Sequence, residues 1–233
     1  MNATIDPERQ LGQLVEDNPD FARVFESLDI DYCCGGTVSL ATACADAGLE
    51  VADVCDRLEA ARSEGDGRER GWESLTQLAN LIVWEHHRYL RTELPELEAL
   101  VEKVARVHGD AHPSLRKVET EFRDLAAELS THIDDEEQTA FPIIKKLDTG
   151  VELTVAERET LWEEIDQLEA DHDETAARLE RLEELTDGYA VPDDACTSYR
   201  SMLDRLAELE RNTHMHVHRE NNVLFPKAES KLD

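Results

Sequence analysis

The chain has 233 residues, of which 24 are lysine or arginine and 54 are aspartate or glutamate, so its formal net charge is −30. A charge of this sign repels phosphate, which argues against a protein that binds nucleic acid or an anionic membrane through charge. No apolar run approaches the roughly 20 residues of a membrane span, and the N-terminus lacks signal-peptide character, so we expect a cytoplasmic protein.

The excess of carboxylates over basic residues has two interpretations. A surface rich in carboxylates stays hydrated in concentrated salt, where screening relieves its self-repulsion, so we favour a halophilic, salt-adapted host. An ordinary acidic cytoplasmic protein is the alternative. The five cysteines are an odd number without framework spacing, which favours reduced thiols over disulfides.

Residues 1–62 are predicted to form a small domain of short helices that carries two neighbouring cysteines, Cys33 and Cys34. A disulfide between neighbours is strained, so this pair is not expected to be a structural bridge. The helix that follows would lower the pKa of both thiols and make them reactive. Two small hydrophobic residues buried in a tight turn are an equally supported alternative. Residues 63–71, polar and rich in glycine, are predicted to be a linker.

Residues 72–233 contain four long helical patterns, in which apolar residues recur every three or four positions. Breaks near 109–113, 148–150 and 187–192 separate the four patterns. Four antiparallel helices packed up and down are the natural assembly. We therefore predict an all-α chain in which an up-down four-helix bundle follows the small helical domain.

The phrase His-x3-Glu-x4-Phe-Pro occurs twice in this region. It begins at His132 and again at His216, 84 residues later (216 − 132), and two lone histidines keep nearly the same step. Residues four apart share one face of a helix, and here that face is the apolar one. The candidate metal ligands are His132, Glu136, His172, His216 and Glu220, together with one of the adjacent histidines His86 and His87.

A single His-x3-Glu pair lies on a solvated helix face more often than it binds metal. A lone histidine among apolar residues is likewise more often a hydrogen-bonded core residue than a metal ligand. Burying two carboxylates and four imidazoles together, however, is costly unless cations compensate. Repetition of the whole phrase therefore favours a two-metal centre. Imidazole and carboxylate ligands suit iron, manganese or zinc, and a glutamate from each half that bridges the two metals favours iron.

Other histidines surround these candidates. His214 and His218 lie two residues either side of His216, about 200° round the helix, so we expect both rings to project outward. His108 and His112 lie at a predicted helix end and are expected to be surface or supporting groups.

Four phrases carry a resemblance to a known family: Asp31-Tyr32-Cys33-Cys34-Gly35-Gly36, Leu94-Pro95-Glu96-Leu97, the run of Glu136-Glu137-Gln138 and Phe141-Pro142, and Glu220-Asn221-Asn222-Val223-Leu224-Phe225-Pro226. Over essentially the whole chain, the sequence resembles the iron–sulfur cluster repair di-iron family. The resemblance implies a hemerythrin-like bundle with two non-haem iron ions, held by the four histidines and bridged by oxo and carboxylate groups. Family spacing also selects His87 over its neighbour His86, between which periodicity does not choose.

The resemblance implies repair of clusters damaged by nitric oxide or oxidants, with iron delivered from the bundle and Cys33 and Cys34 handing on iron or sulfur. Damaged iron–sulfur proteins would be the partners, nucleic acid and membranes are not expected, and a homodimer stays open. An iron donor is favoured over a turnover enzyme. The alternative is a hemerythrin-like protein that binds or reduces dioxygen or nitric oxide, and a structural metal site in an interaction module is a third hypothesis. Repair should need the cysteine pair, whereas gas binding should not.

Overall fold

The structure is a computed structural model that describes residues 5–64 and 74–232. Across these residues the chain is helical and has no strand; Gln10 and Ser39 form an isolated antiparallel bridge. The predicted all-α class is confirmed. Among the same residues, no helix is both long enough and apolar enough to cross a membrane.

Helices follow one another along the chain, and three of them continue through a five-residue π-helical turn. The α-helices are α1 (Leu11–Asp17), α2 (Phe21–Glu26), α3 (Leu40–Asp46), α4 (Val51–Glu64), α5 (Leu75–Ile82), α6 (Arg88–His108), α7 (Ser114–Asp135), α8 (Phe141–Asp148), α9 (Val155–Leu185), α10 (Thr197–Arg219) and α11 (Phe225–Leu232). The π turns are Val83–His87, Glu136–Ala140 and Glu220–Leu224.

The chain divides into two compact units, and the boundaries fall at the first residue of α5 and inside α10. The first unit comprises Met1–Leu75 and Val217–Asp233, and the second comprises Thr76–His216. In the first unit, the fully buried side chains of Leu14, Phe25 and Leu40 belong to its short helices. Helices of six or seven residues are too short to be stable alone, so they depend on such tertiary packing.

In the second unit, α6, α7, α9 and the first part of α10 bury one continuous apolar core. The ion pairs between helices give their direction. Arg91 of α6 pairs with Asp134 of α7, and Glu98, further along α6, pairs with Arg123, which lies earlier on α7. The two helices are therefore antiparallel, as in the up-down order that the sequence predicts.

The predicted domain boundaries were 1–62, 63–71 and 72–233. Helix α4 continues to Glu64, and residues 65–71 of the predicted linker lie outside the described residues. The compact units differ from this division in one respect, because Val217–Asp233 groups with the N-terminal residues. The proposed boundaries stay a prediction.

Candidate metal centre

Each copy of the repeated phrase folds as an α-helix, a π turn and a further short helix. The backbone N–H of Phe141 donates to the carbonyl of Glu136, five residues back, and that of Phe225 donates to the carbonyl of Glu220. The proline after each phenylalanine has no N–H and would clash with the carbonyl four residues before it in a regular α-helix. The wider π turn avoids this clash, so each helix is distorted before the proline but continues beyond it.

The π turn also explains the spacing between glutamate and phenylalanine in the phrase. Residues five apart point about 140° away from each other around an α-helix, and the wider turn reduces this angle. Nε2 of His87 lies 3.2 Å from Oε2 of Glu136, and the same ring stacks on Phe141 at 5.6 Å between centroids. Glu136, which begins the turn, and Phe141, which follows it, therefore contact the same histidine.

Five of the six predicted ligands meet inside the second unit. Nε2 of His87 lies 3.2 Å from Nε2 of His216, and Nε2 of His132 lies 3.0 Å from Nε2 of His172. Glu136 serves both histidine pairs: its Oε2 is 3.7 Å from Nε2 of His216, and its Oε1 is 3.5 Å from Nε2 of His132. The site is thus two pairs of imidazoles joined by one carboxylate.

This donor set fits a metal ion. Both carboxylate oxygens of Glu136 are buried and accept no hydrogen bond, which is costly for an anion in the absence of a cation. Donor atoms that bind one ion at about 2.1 Å, at right angles, lie about 3.0 Å apart, close to the shorter distances between these side chains. Burial lowers the pKa of His216 well below its ordinary value, against the opposing charge of Glu136, so the ring is neutral and can donate its lone pair.

Carboxylates outside the cluster orient its histidines. Nδ1 of His87 lies 2.8 Å from Oε1 of Glu137, which also pairs with Arg91. Burial alone would raise the pKa of Glu137, but hydrogen bonds from Arg91 and His87 lower it overall. A proton on Nδ1 satisfies this carboxylate and leaves Nε2 bare toward the cluster. On the other half, His132 lowers the pKa of Asp171, whose carboxylate lies 3.6 Å from Nδ1.

His86 and His87 are both buried, and only tertiary contacts distinguish them. Nδ1 of His86 lies 3.0 Å from Oδ1 of Asn212, and its ring stacks on His216 at 5.2 Å between centroids. His86 therefore packs against the candidate ligand His216, whereas His87 directs its Nε2 at Glu136.

Glu220, the sixth predicted ligand, belongs to the first unit. Its side chain is fully buried, and it begins the π turn Glu220–Leu224 four residues after His216 along the helix. Glu136 stands in the same relation to His132.

The His218 ring, which the sequence predicts to project outward, is not exposed to solvent. In the first unit this ring is only 2% exposed and lies against Tyr32, with 5.7 Å between centroids. Burial lowers the pKa of His218 to about 4. The position on the helix indicated which way the ring points, but could not indicate what covers it.

The cysteine pair lies in a turn organised by one carboxylate. Oδ1 of Asp31 accepts from the backbone N–H of Cys33 at 2.9 Å and of Cys34 at 3.0 Å, and the thiol of Cys33 lies 3.2 Å from the same oxygen. Nδ2 of Asn222 donates to the carbonyl of Cys33 at 2.7 Å. Cys33 is buried and Cys34 is half-buried.

The predicted lowering of the thiol pKa is wrong for Cys33. The neighbouring Cys34, burial and the carboxylate of Asp31 raise the pKa of Cys33 well above its ordinary value. The helix α3 that was expected to lower it starts only at Leu40, and its N-terminus is capped by the hydroxyl of Ser39. A dipole that distant cannot offset a carboxylate in contact with the thiol.

A cavity of about 320 Å³ between α7 and α9 reaches His132, and the sequence argument missed it. Carboxylates of Glu128, Asp171 and Glu174 line this cavity. Each of these three carboxylates lies within four residues of a candidate ligand. Because the chain has 54 acidic residues, this proximity in sequence does not distinguish them from the others. Glu128 is paired with Arg178, so Asp171 and Glu174 are the carboxylates that attract a cation to the edge of the cluster.

Two family models match the chain. The Hemerythrin HHE cation binding domain matches residues 78–228, and ScdA_N, a domain of unknown function, matches residues 7–62. The first match agrees with a metal site in a helical bundle, as the His–Glu cluster indicates.

Similar proteins cover nearly the whole chain. It is 36% identical over 224 residues to the iron–sulfur cluster repair protein YtfE of Escherichia coli O1:K1 / APEC, with 95% of this chain and 96% of the relative covered. It is 32% identical over 221 residues to the iron–sulfur cluster repair protein ScdA of Staphylococcus haemolyticus, covering 94% and 97%. A probable iron–sulfur cluster repair protein of Haemophilus influenzae is 31% identical over 224 residues, covering 95% and 96%.

Proposed function

This chain belongs to the ScdA-type family of iron–sulfur cluster repair proteins, and from that premise we propose that it restores clusters damaged by nitric oxide or oxidants by supplying iron. The observation that carries the proposal is the buried cluster of paired imidazoles around the bare carboxylate of Glu136. Names of the relatives favour repair over the alternative, a hemerythrin-like protein that binds or reduces dioxygen or nitric oxide.

The proposed iron centre holds two ions in two half-sites. His87 and His216 would bind one ion, and His132 and His172 the other, because each pair already brings its Nε2 atoms to 3.0–3.2 Å. Glu136 would bridge the two ions, since each of its oxygens faces a different half. Glu220 is the proposed second bridge, because it follows His216 as Glu136 follows His132. Iron bound at this site would be the ion that is transferred to a damaged cluster. It would also offer open coordination positions to small ligands.

The residues around the cluster are suited to holding and releasing a cation. The hydrogen bond between Glu137 and His87 fixes the ring of His87, and the carboxylate of Asp171 lies beside the ring of His132. The acidic cavity that reaches His132 gives a leaving cation successive carboxylates to follow. We assign the receiving role to Cys33 and Cys34, because Asp31 and this pair offer an oxygen and two sulfurs within 4.8 Å of one another.

A repair assay with matched cysteine variants tests the proposal. Iron-loaded protein is added to an iron–sulfur enzyme damaged by nitric oxide, and recovered activity is measured beside iron content. The wild-type chain should restore activity, and the double variant Cys33→Ser with Cys34→Ser should keep its iron but lose most of the recovery. Cys55→Ser, a half-buried cysteine of the same unit, is the control and should behave as wild type.

Two results would contradict this reading. Iron-loaded wild-type protein that restores no activity would reject repair by iron supply. Full recovery with the double variant would reject the transfer role of the pair and favour gas chemistry at the bundle. Elemental analysis should find about two iron ions per chain, as in other paired-carboxylate bundles, and protein that holds one zinc ion instead would reject the di-iron site.

A further inference from the structure

The turn that carries the cysteine pair (residues 31–36, the cysteine turn) meets the last π turn of the chain within the first unit. Nδ2 of Asn222, a residue of that π turn, donates to the carbonyl of Cys33 at 2.7 Å. The same nitrogen lies 3.4 Å from the carbonyl of Tyr32 and 3.4 Å from Nδ1 of His218. Because a side-chain amide has two N–H bonds, Asn222 can serve Cys33 with one of them and a more distant acceptor with the other.

Two glycines form the slot that receives the side chain of Asn222. A Cβ atom added at Gly36 would overlap Oδ1 of Asn222, and one added at Gly12 would lie 2.6 Å from the same oxygen. The backbone N–H of Gly12 donates to the carbonyl of Gly36 at 2.8 Å, so the two glycines hold each other in place. Neither position therefore has room for a Cβ atom while the amide is seated, and the close approach of the two backbones requires glycine.

The cysteine turn is thus held from two sides. On one side, the carboxylate of Asp31 accepts from three backbone N–H groups at 2.8–3.0 Å, those of Cys33, Cys34 and Gly35. On the other side, Asn222 donates to the carbonyl of Cys33. In this conformation a carboxylate oxygen of Asp31 and the two sulfurs lie within 4.8 Å of one another.

We propose that Asn222 is a positioning residue for metal receipt by the cysteine turn, because its amide fixes the peptide of Cys33 so that both thiols and Asp31 face one ion. This inference rests on the proposed receiving role of the cysteine pair. Each thiol releases its proton to solvent when the ion binds. Hydrogen bonds from supporting groups orient the ligands of a metal and raise its affinity, and Asn222 supplies such a bond to the backbone between the two sulfurs.

The position of Asn222 also connects the cysteine turn to the proposed iron centre. Asn222 lies two residues after Glu220, the proposed second bridge, in the same five-residue π turn. The hydrogen bond to Cys33 therefore ties the receiving turn to the backbone that carries a proposed iron ligand.

Cobalt(II) titration of the iron-loaded, full-length protein tests this role. Wild-type protein should give a sulfur-to-cobalt charge-transfer band in the near-ultraviolet difference spectrum, and the double variant Cys33→Ser with Cys34→Ser should lose it. Asn222→Asp keeps the shape of the side chain but places a carboxylate against two carbonyls, whereas Asn222→Ala removes the donor without adding charge. Each of these two variants should keep its helical circular dichroism and bind cobalt at least about tenfold more weakly, as expected for loss of a group that supports a metal ligand.

Two further variants separate this role from packing. Lys227→Met breaks a different contact between the same two parts of the chain, the pair with Glu16 at 2.8 Å, and should bind cobalt as wild-type protein does. Asn222→Ala combined with Gly36→Ala places a methyl group in the space that the amide leaves but restores no donor. Cobalt binding should therefore stay weak in this combined variant.

The outcomes distinguish the positioning role from the function on which it rests. Wild-type affinity in Asn222→Asp, an equal loss in Lys227→Met, or affinity restored by adding Gly36→Ala to Asn222→Ala would overturn the role of Asn222 alone. Wild-type protein without the band, or a band that survives loss of both cysteines, would reject the receiving role of the pair and the positioning role with it.

Discussion

Glu136 is the side chain on which the proposed iron centre depends most directly. Its carboxylate lies within 3.7 Å of imidazole nitrogens from both histidine pairs, and neither of its oxygens accepts a hydrogen bond. A neutral amide of the same shape would place a donor nitrogen where a lone pair is needed. The site should therefore be sensitive to the charge at this position rather than to its volume.

Glu136→Gln should lower the iron content from about two ions per chain to less than one, because the bridging anion is lost. Asp135→Asn removes the same charge from an exposed neighbour and should keep full iron content. Elemental analysis of both variants, with circular dichroism to verify folding, makes the comparison. Equal iron in Glu136→Gln and wild-type protein would show that the carboxylate is not a ligand.

Helix α9, with 31 residues, carries His172 to the cluster, and its beginning is fixed by a capping box. The hydroxyl of Thr154 accepts from the N–H of Glu157 at 3.2 Å, and the Glu157 carboxylate accepts from the N–H of Thr154 at 2.8 Å. Lys146 of α8 donates to the other oxygen of Glu157 at 2.6 Å. Glu157 thus accepts a hydrogen bond from the backbone at the start of α9 and connects α9 to α8 through Lys146.

The Glu157 carboxylate makes this helix start sensitive to acid. The hydrogen bond from Lys146, followed by those from Thr154, lowers its pKa from 4.5 to about 2. Because the folded-state pKa is the lower one, the stabilisation is complete above pH 4.5 and is lost as the pH falls toward 2.

Glu157→Gln should therefore unfold at a lower urea concentration than wild-type protein at pH 7, and the difference should shrink as the pH falls below 4.5. Glu159→Gln, an exposed residue of the same helix, should show little difference from wild type at either pH. Urea titrations followed by circular dichroism give the midpoints. A difference that stays constant down to the lowest pH would contradict the role of the charge.

At the scale of the whole molecule, the last 17 residues (217–233) belong with the N-terminal residues rather than standing alone as the end of a bundle. Asn222 binds the carbonyl of Cys33, Lys227 pairs with Glu16 at 2.8 Å, and Tyr32 covers His218. Residues 217–232 therefore derive part of their stability from contacts with the N-terminal residues of the chain.

Removal of residues 1–62 should speed amide hydrogen exchange in 217–232 while leaving α6, α7 and α9 protected. The reason is that the removed residues supply partners to the C-terminal turns, whereas the core of the second unit is built from its own helices. Mass-spectrometric exchange of the full and shortened chains measures this. Unchanged protection in 217–232 would show that the stability of these residues does not depend on the small N-terminal domain, as the domain boundaries predicted from the sequence imply.

Other whole-molecule expectations, namely a salt-adapted host, a cytoplasmic location and a homodimer, stay predictions. The net charge of −30 makes the first of them measurable, because added salt should raise the melting temperature of a chain that repels itself.

The sequence by itself determined what depends on local periodicity. Apolar spacing predicted four long helices, the breaks between them appear where glycine, proline and acidic residues cluster, and the repeated phrase selected Glu136 and its histidine partners. The helix predictions succeed because residues three or four apart share a helix face whatever packs against it, and the choice of ligands stays a prediction.

Tertiary structure alone decided what depends on neighbours distant in sequence. The different contacts of His86 and His87 come from α10 and from the π turn Glu136–Ala140, and the raised pKa of Cys33 rests on a turn that brings Asp31 to its thiol. Burial of His218 rests on Tyr32, from the opposite end of the chain. A helical wheel gives the direction of a side chain but not the burial or charge it meets there, and these two quantities determine what the group can do.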